Sequence, residues 1–536
     1  MSESARRDRL ALIVASLGAL AVVLAAAPYK AFDLDRYFVP KELVVHVCAT
    51  LAALLCVAGR KRLSLSLTDA ALAAFLVVSL ASAVVAQNVW LAGRALALSC
   101  SGVALFWVAS VLRERGMVRP LVAALAFAVV VGAATSLAQT YGVESIYFSI
   151  NRAPGGTFGN RNFVAHLCAI GVPVIALCAL TTRRSLTVLA CGCGMAVVSA
   201  ALVISRSRGA WLALIAVAVV VGFLAFLARK RWADPRRTRR LLFLAAGIVA
   251  GALGAVLLPN HLNWKSDNPY LDSATGLVNY KQGSGKGRLV QYANSLKLTA
   301  RSPVVGVGPG NWPVRYPSVA TWNDPSMSDS NPGMTSNPWP SSDWVAFVSE
   351  RGLLGAGLLL LAFVALGLRA IREAWAAPRS SGDSERVLTA LALVGVLVAA
   401  TVVGSFDAVL LTAVPTLFVW LLAGALAPPA RPWFTWERGV REFAPTLVVL
   451  VGALAILHSA LALGAMSAFS SSSRIAAISE AATLDPGEFR IRVRAAQSYI
   501  ARGECSKARP HALAARQLFP SSTQARRLVS ECGAGH

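Results

Sequence analysis

Four short phrases of this chain combine arginine, carboxylate and asparagine side chains with glycine-containing turns. They occupy residues 155–162, 205–209, 287–312 and 340–355, and each lies at the end of a long apolar run. The planar guanidinium group of arginine fits the oxygens of a phosphate group. The spacing therefore indicates recognition of a phosphate-bearing ligand at the ends of hydrophobic segments.

The arginines are the strongest candidates. Arg206 and Arg208 stand between two apolar runs with almost no connector, and arginine at membrane depth is costly and by default a functional candidate. The alternative is that each reaches out to lipid headgroups. Arg288 begins an amphipathic pattern over 288–300, which predicts a helix that Pro303 stops. The following GVGPG lacks the strand and the Lys-Ser/Thr of a phosphate loop, so it is interpreted as a turn.

Two further phrases carry asparagine and carboxylate groups. Asn160 and Asn162 flank Arg161 just before an apolar run, where the amide side chains would cap a helix or bind a polar ligand. Taken alone, the phrase favours turn and cap. Asp343 enters a later apolar run, and Glu350 stands beside Arg351 within it. Glu350 is there either as half of a structural pair or as a functional group.

Composition identifies the elements that position these residues. The 536 residues are 56% hydrophobic and only 14% charged, whereas soluble domains carry about 25% charged residues. The net charge is +25, but the basic residues are distributed between apolar runs and do not form a basic domain. Nucleic acid is therefore not a predicted partner. Thirteen runs are candidate spans. They are residues 10–27, 43–58, 68–86, 95–112, 120–138, 163–180, 186–204, 210–228, 241–258, 344–368, 387–406, 409–427 and 444–466.

Basic residues orient these spans. With a cytoplasmic N-terminus, the inner connectors carry 25 of the 51 Lys and Arg residues, and the outer hairpins carry few. The predicted fold is an all-α polytopic membrane protein with about 12–13 transmembrane helices. Residues 1–469 form the membrane domain, with one large extracytoplasmic loop at 259–342, and residues 470–536 form an extracytoplasmic module. The loop is rich in Trp, Tyr, Asn, Pro and Gly, which is typical of a folded binding loop.

The sequence of the C-terminal module predicts short Ala-rich helices that end at proline residues. The phrases EAATLDP and HALAARQLFP end alike, which indicates one or two tetratricopeptide-like repeats. The module is either an amphipathic cap or a docking platform for a protein partner. Cys505 and Cys532 are the two cysteines outside the spans and are predicted to form a disulfide in an oxidising compartment. No metal site is predicted, since Cys191 and Cys193 point to different helix faces.

Together, the phrases GGTFGNRN, SRSRGAWLAL, GR before SPVVGVGPGNW, and SSDWVAFVSERGLLG resemble the O-antigen ligase/polymerase superfamily over about residues 60–427. The resemblance implies a metal-independent glycosyltransferase of the bacterial inner membrane that uses no cofactor and has a periplasmic C-terminus. Such enzymes move a glycan from a polyprenyl-diphosphate carrier to a sugar hydroxyl, either on a lipid A core (ligase) or on a growing chain (polymerase). It further implies that Arg208 and Arg288 bind the donor diphosphate. Membrane lipids are also expected partners.

The remaining site predictions rest on the same phrases. The substrate-binding candidates are Arg206, Asn160, Arg161, Asn162 and Glu350. The family commonly carries a histidine before the tenth span, but Ser341 stands at that position here. Asp343 is therefore the predicted base, ahead of Glu350 and His261. The missing histidine and the added repeats favour a polymerase.

Two other function classes stay open. A transporter or flippase of lipid-linked sugars predicts internal repeats, which the sequence does not display. A non-catalytic assembly scaffold would tolerate loss of Arg208 and Arg288.

Overall fold

A computed structural model describes residues 3–60, 62–149, 152–264, 266, 268–276, 283–376, 383–437 and 439–532. Within these residues the only strands are Leu63–Leu65 and Phe434–Trp436, which pair antiparallel with Leu63 opposite Trp436. All other regular structure is helical, so the all-α prediction is confirmed. The helices are α1 (Glu3–Leu24), α2 (Asp35–Val57), α3 (Leu67–Val84), α4 (Val89–Glu114), α5 (Val118–Thr140), α6 (Arg161–Thr181), α7 (Ser185–Ser205), α8 (Arg208–Leu227), α9 (Arg229–Trp232), α10 (Pro235–Leu257), α11 (Pro269–Thr275), α12 (Gly283–Arg301), α13 (Trp312–Arg315), α14 (Asp343–Ala376), α15 (Asp383–Gly404), α16 (Ala413–Leu426), α17 (Val440–Ser471), α18 (Ile475–Leu484), α19 (Phe489–Ile500), α20 (Cys505–Leu518) and α21 (Thr523–Glu531).

Each predicted span coincides with one of these helices. Among the described residues, eleven helices are long and apolar enough to cross a membrane, and α1 and α16 occupy the other two predicted spans. Helix α14 ends at Ala376 instead of residue 368. By the same eight residues, α2 begins early, at Asp35 instead of residue 43. Its charged first turns are buried and paired, since Arg94 on α4 bonds both Asp35 and Glu42. A hydropathy pattern does not register that pairing.

The centre of the bundle is formed by α6, α15 and α16. Every residue of α16 is buried, whereas α8, α10 and α17 expose long rows of Leu, Val and Phe side chains. In water such rows would be unfavourable, but they match the hydrocarbon core of a bilayer. The chain is a multi-pass membrane protein.

The segment between α10 and α14 covers one end of the bundle, which we call the loop face. The turn expected at 306–310 is present and binds a break in α14 at Gly352, whose φ is 69°. The Val307 and Gly308 amides donate to the carbonyl oxygens of Ser349 and Glu350 at 3.0 and 2.9 Å. The glycines thus permit a close approach between backbones, and they hold the loop against α14.

The C-terminal helices also pack on the loop face. Helices α18 and α19 share a buried apolar cluster with α2 and α17, and α20 and α21 form a second cluster with α19 that Met334 of the loop joins. The predicted disulfide between Cys505 and Cys532 is present and links the start of α20 to the residue after α21. The repeat family and the boundary at residue 470 stay predictions.

Candidate active site

Five polar side chains from four parts of the chain meet at the loop face. We call them the loop-face cluster: Asn162, His166, Arg208, Arg288 and Asp407. Arg208 is included because the next residue, Gly209, packs against Phe406, the neighbour of Asp407, where an added Cβ would lie 3.3 Å from the Phe406 Cβ. They come from the starts of α6 and α8, from α12, and from the connector between α15 and α16. All but Arg288 lie near the end of a predicted span, so the bundle fixes their positions, and α12 brings Arg288 to them.

Asp407 stands at the centre of the contacts. Its Oδ2 accepts a hydrogen bond from Asn162 Nδ2 at 3.2 Å and lies 3.7 Å from His166 Nε2. Its Oδ1 accepts from the Ala408 amide at 2.9 Å. The Asp407 side chain is 19% exposed, whereas that of His166 is 1% exposed. Asp407 is therefore an accessible carboxylate backed by a buried imidazole.

The start of α6 is fixed by its own capping residue. Asn160 is buried and extended, and its Oδ1 accepts from the Asn162 amide at 3.0 Å, as the turn-and-cap interpretation expects. His166 follows Asn162 by four residues, which places both on one helix face. Within the described residues, His166 Nδ1 has no hydrogen-bond partner. A buried nitrogen without a hydrogen-bond partner destabilises the fold, so its presence suggests a functional reason.

Asp343, the predicted base, has a different surrounding. It is buried in the first turn of α14, and its two oxygens accept from the amides of Val409 and Leu410 at 2.9 and 2.8 Å. Next to it, Ser342 Oγ donates to the Gly404 carbonyl oxygen at 3.1 Å. This geometry favours a positioning role, because the carboxylate holds the connector that presents Asp407. No observation tests its predicted role as a base.

Helix α12 brings Arg288 to the cluster. The predicted amphipathic helix is present, and Tyr292, one turn after Arg288, places its hydroxyl 2.8 Å from the carbonyl oxygens of both Ser341 and Ser405. Residues four apart share a helix face, so Arg288 projects from the side of α12 that packs on this end of the bundle. Its charge interacts with His166.

Arg206 and Arg208 come from the junction of α7 and α8. Arg208 begins α8 and donates to the Gly276 carbonyl oxygen at 2.6 Å. Arg206 ends α7 in a left-handed conformation, and its guanidinium lies 4.2 Å from the centre of the Trp264 ring. Burial lowers the pKa of Arg206, and Tyr270 and Asp272 oppose that effect. Arg161, at the start of α6, interacts electrostatically with Arg206, so these two arginines lie near each other.

Glu350 is engaged by the protein itself. It is buried, and its carboxylate accepts from the amides of Gly310 and Trp312 at 2.8 and 3.2 Å and pairs with Arg351 at 3.4 Å. Arg351 also lies over the rings of Phe75 and Phe347. This arrangement favours the structural alternative over the predicted substrate-binding role. His261 lies against Gly142 after α5, and its amide donates to the Thr140 carbonyl oxygen.

The sequence interpretation missed His166 and Asp407. A signal was available for each, since ionisable residues within or between apolar spans are functional candidates by default. His166 stands alone in an apolar helix, and Asp407 is the one charged residue of its connector. Their partnership across 241 positions was not visible, because it requires α6 and α15 to pack side by side.

Comparison with known families fits this geometry. Residues 193–360 match the family model described as O-antigen ligase. This part of the chain carries an O-antigen ligase domain, which supports the resemblance to the O-antigen ligase/polymerase superfamily. The match runs from α7 into α14 and includes Arg206, Arg208 and Arg288, whereas α6 and Asp407 lie outside it. No curated protein matches the chain.

The O-antigen ligase domain indicates the general activity. The protein is a membrane glycan ligase or polymerase, a glycosyltransferase-like enzyme with a lipid-linked glycan donor and a glycan acceptor. The basic residues of the loop-face cluster suit an anionic donor, and its accessible carboxylate suits a hydroxyl acceptor.

Proposed function

We propose that this protein transfers a glycan from a polyprenyl-diphosphate carrier to a sugar hydroxyl at the outer surface of the bacterial inner membrane. The observation that carries the proposal is the loop-face cluster, which places two arginines and an accessible carboxylate in one region. The acceptor oxygen attacks the anomeric carbon of the donor sugar. The bond from that carbon to the diphosphate breaks, and the diphosphate leaves with the electron pair.

Arg208 and Arg288 bind the diphosphate in this scheme. A diphosphate is already a good leaving group, so the main task of the protein is to stabilise the charge that develops on its oxygens. Two guanidinium groups from different helices suit this task, because their positions are set before the substrate binds. No step of this scheme requires a metal ion, and metal independence stays a prediction.

Asp407 takes the proton of the acceptor hydroxyl. Its exposed fraction leaves the carboxylate within reach of a ligand, and its bond to Asn162 fixes its orientation. His166 is a positioning residue that supports Asp407 from the buried side. Asp343 in turn holds the connector through Val409 and Leu410.

A polymerase is the favoured form of this activity. Ser341 replaces the histidine common in the family, and its backbone is held by Gln291 and Tyr292. Together with the added C-terminal helices, this departure points away from a lipid A core ligase. The acceptor of the proposal is therefore a growing glycan chain.

Glycan profiling of a deletion strain tests the proposal. The strain is complemented with the wild type, Arg208→Ala, Arg288→Ala or the control Arg184→Ala. Arg184 is an exposed arginine at the other end of α6. We expect each of the first two variants to lower transfer by about 10²–10³-fold at normal protein levels, the cost typical of losing one charge-stabilising donor.

The products separate the outcomes. Single repeat units that accumulate in the Arg208 and Arg288 variants support a polymerase, whereas full-length glycan stranded on the carrier indicates a ligase. Full rescue by both variants would contradict the enzyme and leave a scaffold. Loss of glycan in the Arg184 variant would show that the readout follows general positive charge instead of the site.

A further inference from the structure

A tryptophan stands almost completely in solvent on the loop face. Trp322 is 92% exposed, the highest value among the large hydrophobic side chains of the described residues. Its neighbours Thr321 and Asn323 are exposed as well. An indole ring has a large apolar surface, and at this exposure nearly all of it faces solvent instead of the described part of the protein.

The turn that carries Trp322 is fixed from below. Asp324 is buried, and its carboxylate accepts from the Tyr316 hydroxyl at 2.6 Å, from Asn294 Nδ2 at 2.8 Å and from the Ser326 amide at 2.9 Å. Burial and Asp324 raise the pKa of Tyr316, so its hydroxyl keeps the donated proton.

The residue between Trp322 and the buried Asp324 has a left-handed backbone conformation. Asn323 has a φ of 60°, a conformation that asparagine adopts more readily than most residues. The Asp324 amide donates back to the Thr321 carbonyl oxygen at 3.2 Å, which closes the turn around Trp322. Trp322 is therefore held out on an anchored turn.

The anchored turn lies beside the proposed donor site. Pro325 packs against Gly287, where an added Cβ would lie 3.5 Å from the proline Cβ, and the next residue of α12 is Arg288. Gln291 Nε2, one turn further, donates to Ser326 Oγ at 3.0 Å. Three residues of extended chain reach at most about 11 Å, so Trp322 stands within that reach of Pro325.

We propose that Trp322 is a stacking platform for a sugar ring of the glycan substrate, next to the diphosphate that Arg288 binds. This inference rests on the proposed function. One face of a pyranose ring carries C–H groups and packs on an aromatic surface, and its rim of hydroxyl groups hydrogen-bonds to polar neighbours. Thr321 and Asn323, the exposed residues before and after Trp322 in the chain, carry such polar groups.

A glycan fits these observations better than a lipid surface. A tryptophan that anchors a loop in a bilayer usually belongs to a belt of apolar and aromatic side chains. Here the exposed residues on either side are polar, and the adjoining apolar side chain of Val319 is buried. The turn therefore presents one aromatic face in a hydrogen-bonding setting, the combination that carbohydrate ligands require.

Binding of carrier-free glycan to the full-length protein tests the inference. The probe is the oligosaccharide repeat released by mild acid from the surface polysaccharide of the producing strain, and saturation-transfer NMR on protein in nanodiscs measures its affinity. We expect Trp322→Ala to weaken binding about tenfold and Trp322→Tyr to restore most of it. The matched control is Trp433→Ala, because Trp433 is 73% exposed but follows the far end of α16.

The controls keep the outcomes distinct. Equal affinity of the wild type and Trp322→Ala overturns the inference, as does an equal loss in Trp433→Ala. A Trp322→Ala protein that binds the probe normally but inserts less stably in nanodiscs identifies a bilayer anchor instead. The proposed function fails separately, if Arg208→Ala still supports full glycan assembly while Trp322→Ala shows weakened binding.

Discussion

Two buried groups of charged residues at the loop face use the same chemistry to different ends. The Glu350–Arg351 pair is closed, because its carboxylate is bonded by the Gly310 and Trp312 amides and its guanidinium lies between aromatic rings and Ser99. Asp407 in the loop-face cluster keeps an exposed edge, and its neighbour His166 keeps an unbonded nitrogen.

The comparison shows how to tell a structural charge from a functional one inside a membrane protein. Both groups bear the cost of taking charge out of water. The closed pair offsets that cost with hydrogen bonds from backbone amides to the Glu350 carboxylate, so this carboxylate has no accessible edge for a ligand. Among the described residues, Arg351 Nε lacks a hydrogen-bond partner, but Arg351 is buried as well. In the loop-face cluster, the exposed edge of Asp407 leaves room for a hydroxyl group of a substrate, and the buried His166 Nδ1 has no partner among the described residues.

The largest effect is expected from a substitution in the loop-face cluster. Asp407→Asn should lower the transfer rate by about 10²–10⁴-fold, the usual contribution of a positioned base, because the amide takes up no proton but keeps a similar shape. Single-turnover transfer with purified protein measures it. Asp343→Asn is the comparison variant, and we expect it to lower the thermal midpoint as well as the rate. A rate for Asp407→Asn within threefold of wild type would exclude Asp407 as the base.

Breaking the closed pair should instead damage the fold. Arg351→Ala leaves Glu350 buried without its partner, which typically costs about 3–5 kcal/mol. We therefore expect a large drop in the thermal midpoint in detergent, measured by light scattering or intrinsic fluorescence. The double variant Arg351→Met with Glu350→Gln should recover much of it. If Arg351→Ala keeps normal stability but loses transfer activity, the Glu350–Arg351 pair has a functional role instead of a structural one.

The smallest expected effect is a pH dependence at Glu488, a half-buried carboxyl group between the closed pair and the loop-face cluster in character. Glu488 lies at the junction of α18 and α19 with α2, where burial and the charges of Asp35 and Asp485 raise its pKa to about 7, with Arg490 opposing. The other charged groups that line this junction are Glu42 and Arg94 of the bundle and His458 of α17.

The sign of the pH effect follows from that shift. The folded carboxyl holds its proton more tightly than the unfolded one, whose pKa is about 4.3. Its protonated form therefore stabilises docking fully at low pH, and this contribution is lost as the pH rises through about 7. Hydrogen exchange of α18 and α19 should thus slow between pH 8 and pH 5.5, after correction for intrinsic rates. Glu488→Gln should flatten that slope, and an unchanged slope would assign it to the other groups.

Much of the fold was available from local pattern. Apolar runs of membrane length predicted thirteen helix positions, and eleven of these helices are long and apolar enough to cross a membrane among the described residues. The cysteines outside the spans predicted their disulfide. Arg208 and Arg288 were named from arginine at membrane depth and from a helical pattern. The start of α2 was missed, since its charges become favourable only beside Arg94.

The sequence by itself determined a polytopic helical protein with arginines suited to a diphosphate at one end of the bundle. Tertiary structure alone decided which acidic residue accompanies them. Asp343 and Asp407 are equal candidates by type, but packing gives Asp343 two backbone amides and leaves Asp407 an open edge beside His166. Hydrogen-bond capacity is shared among groups that are distant in the chain, so the folded neighbourhood determines which charge remains for a substrate.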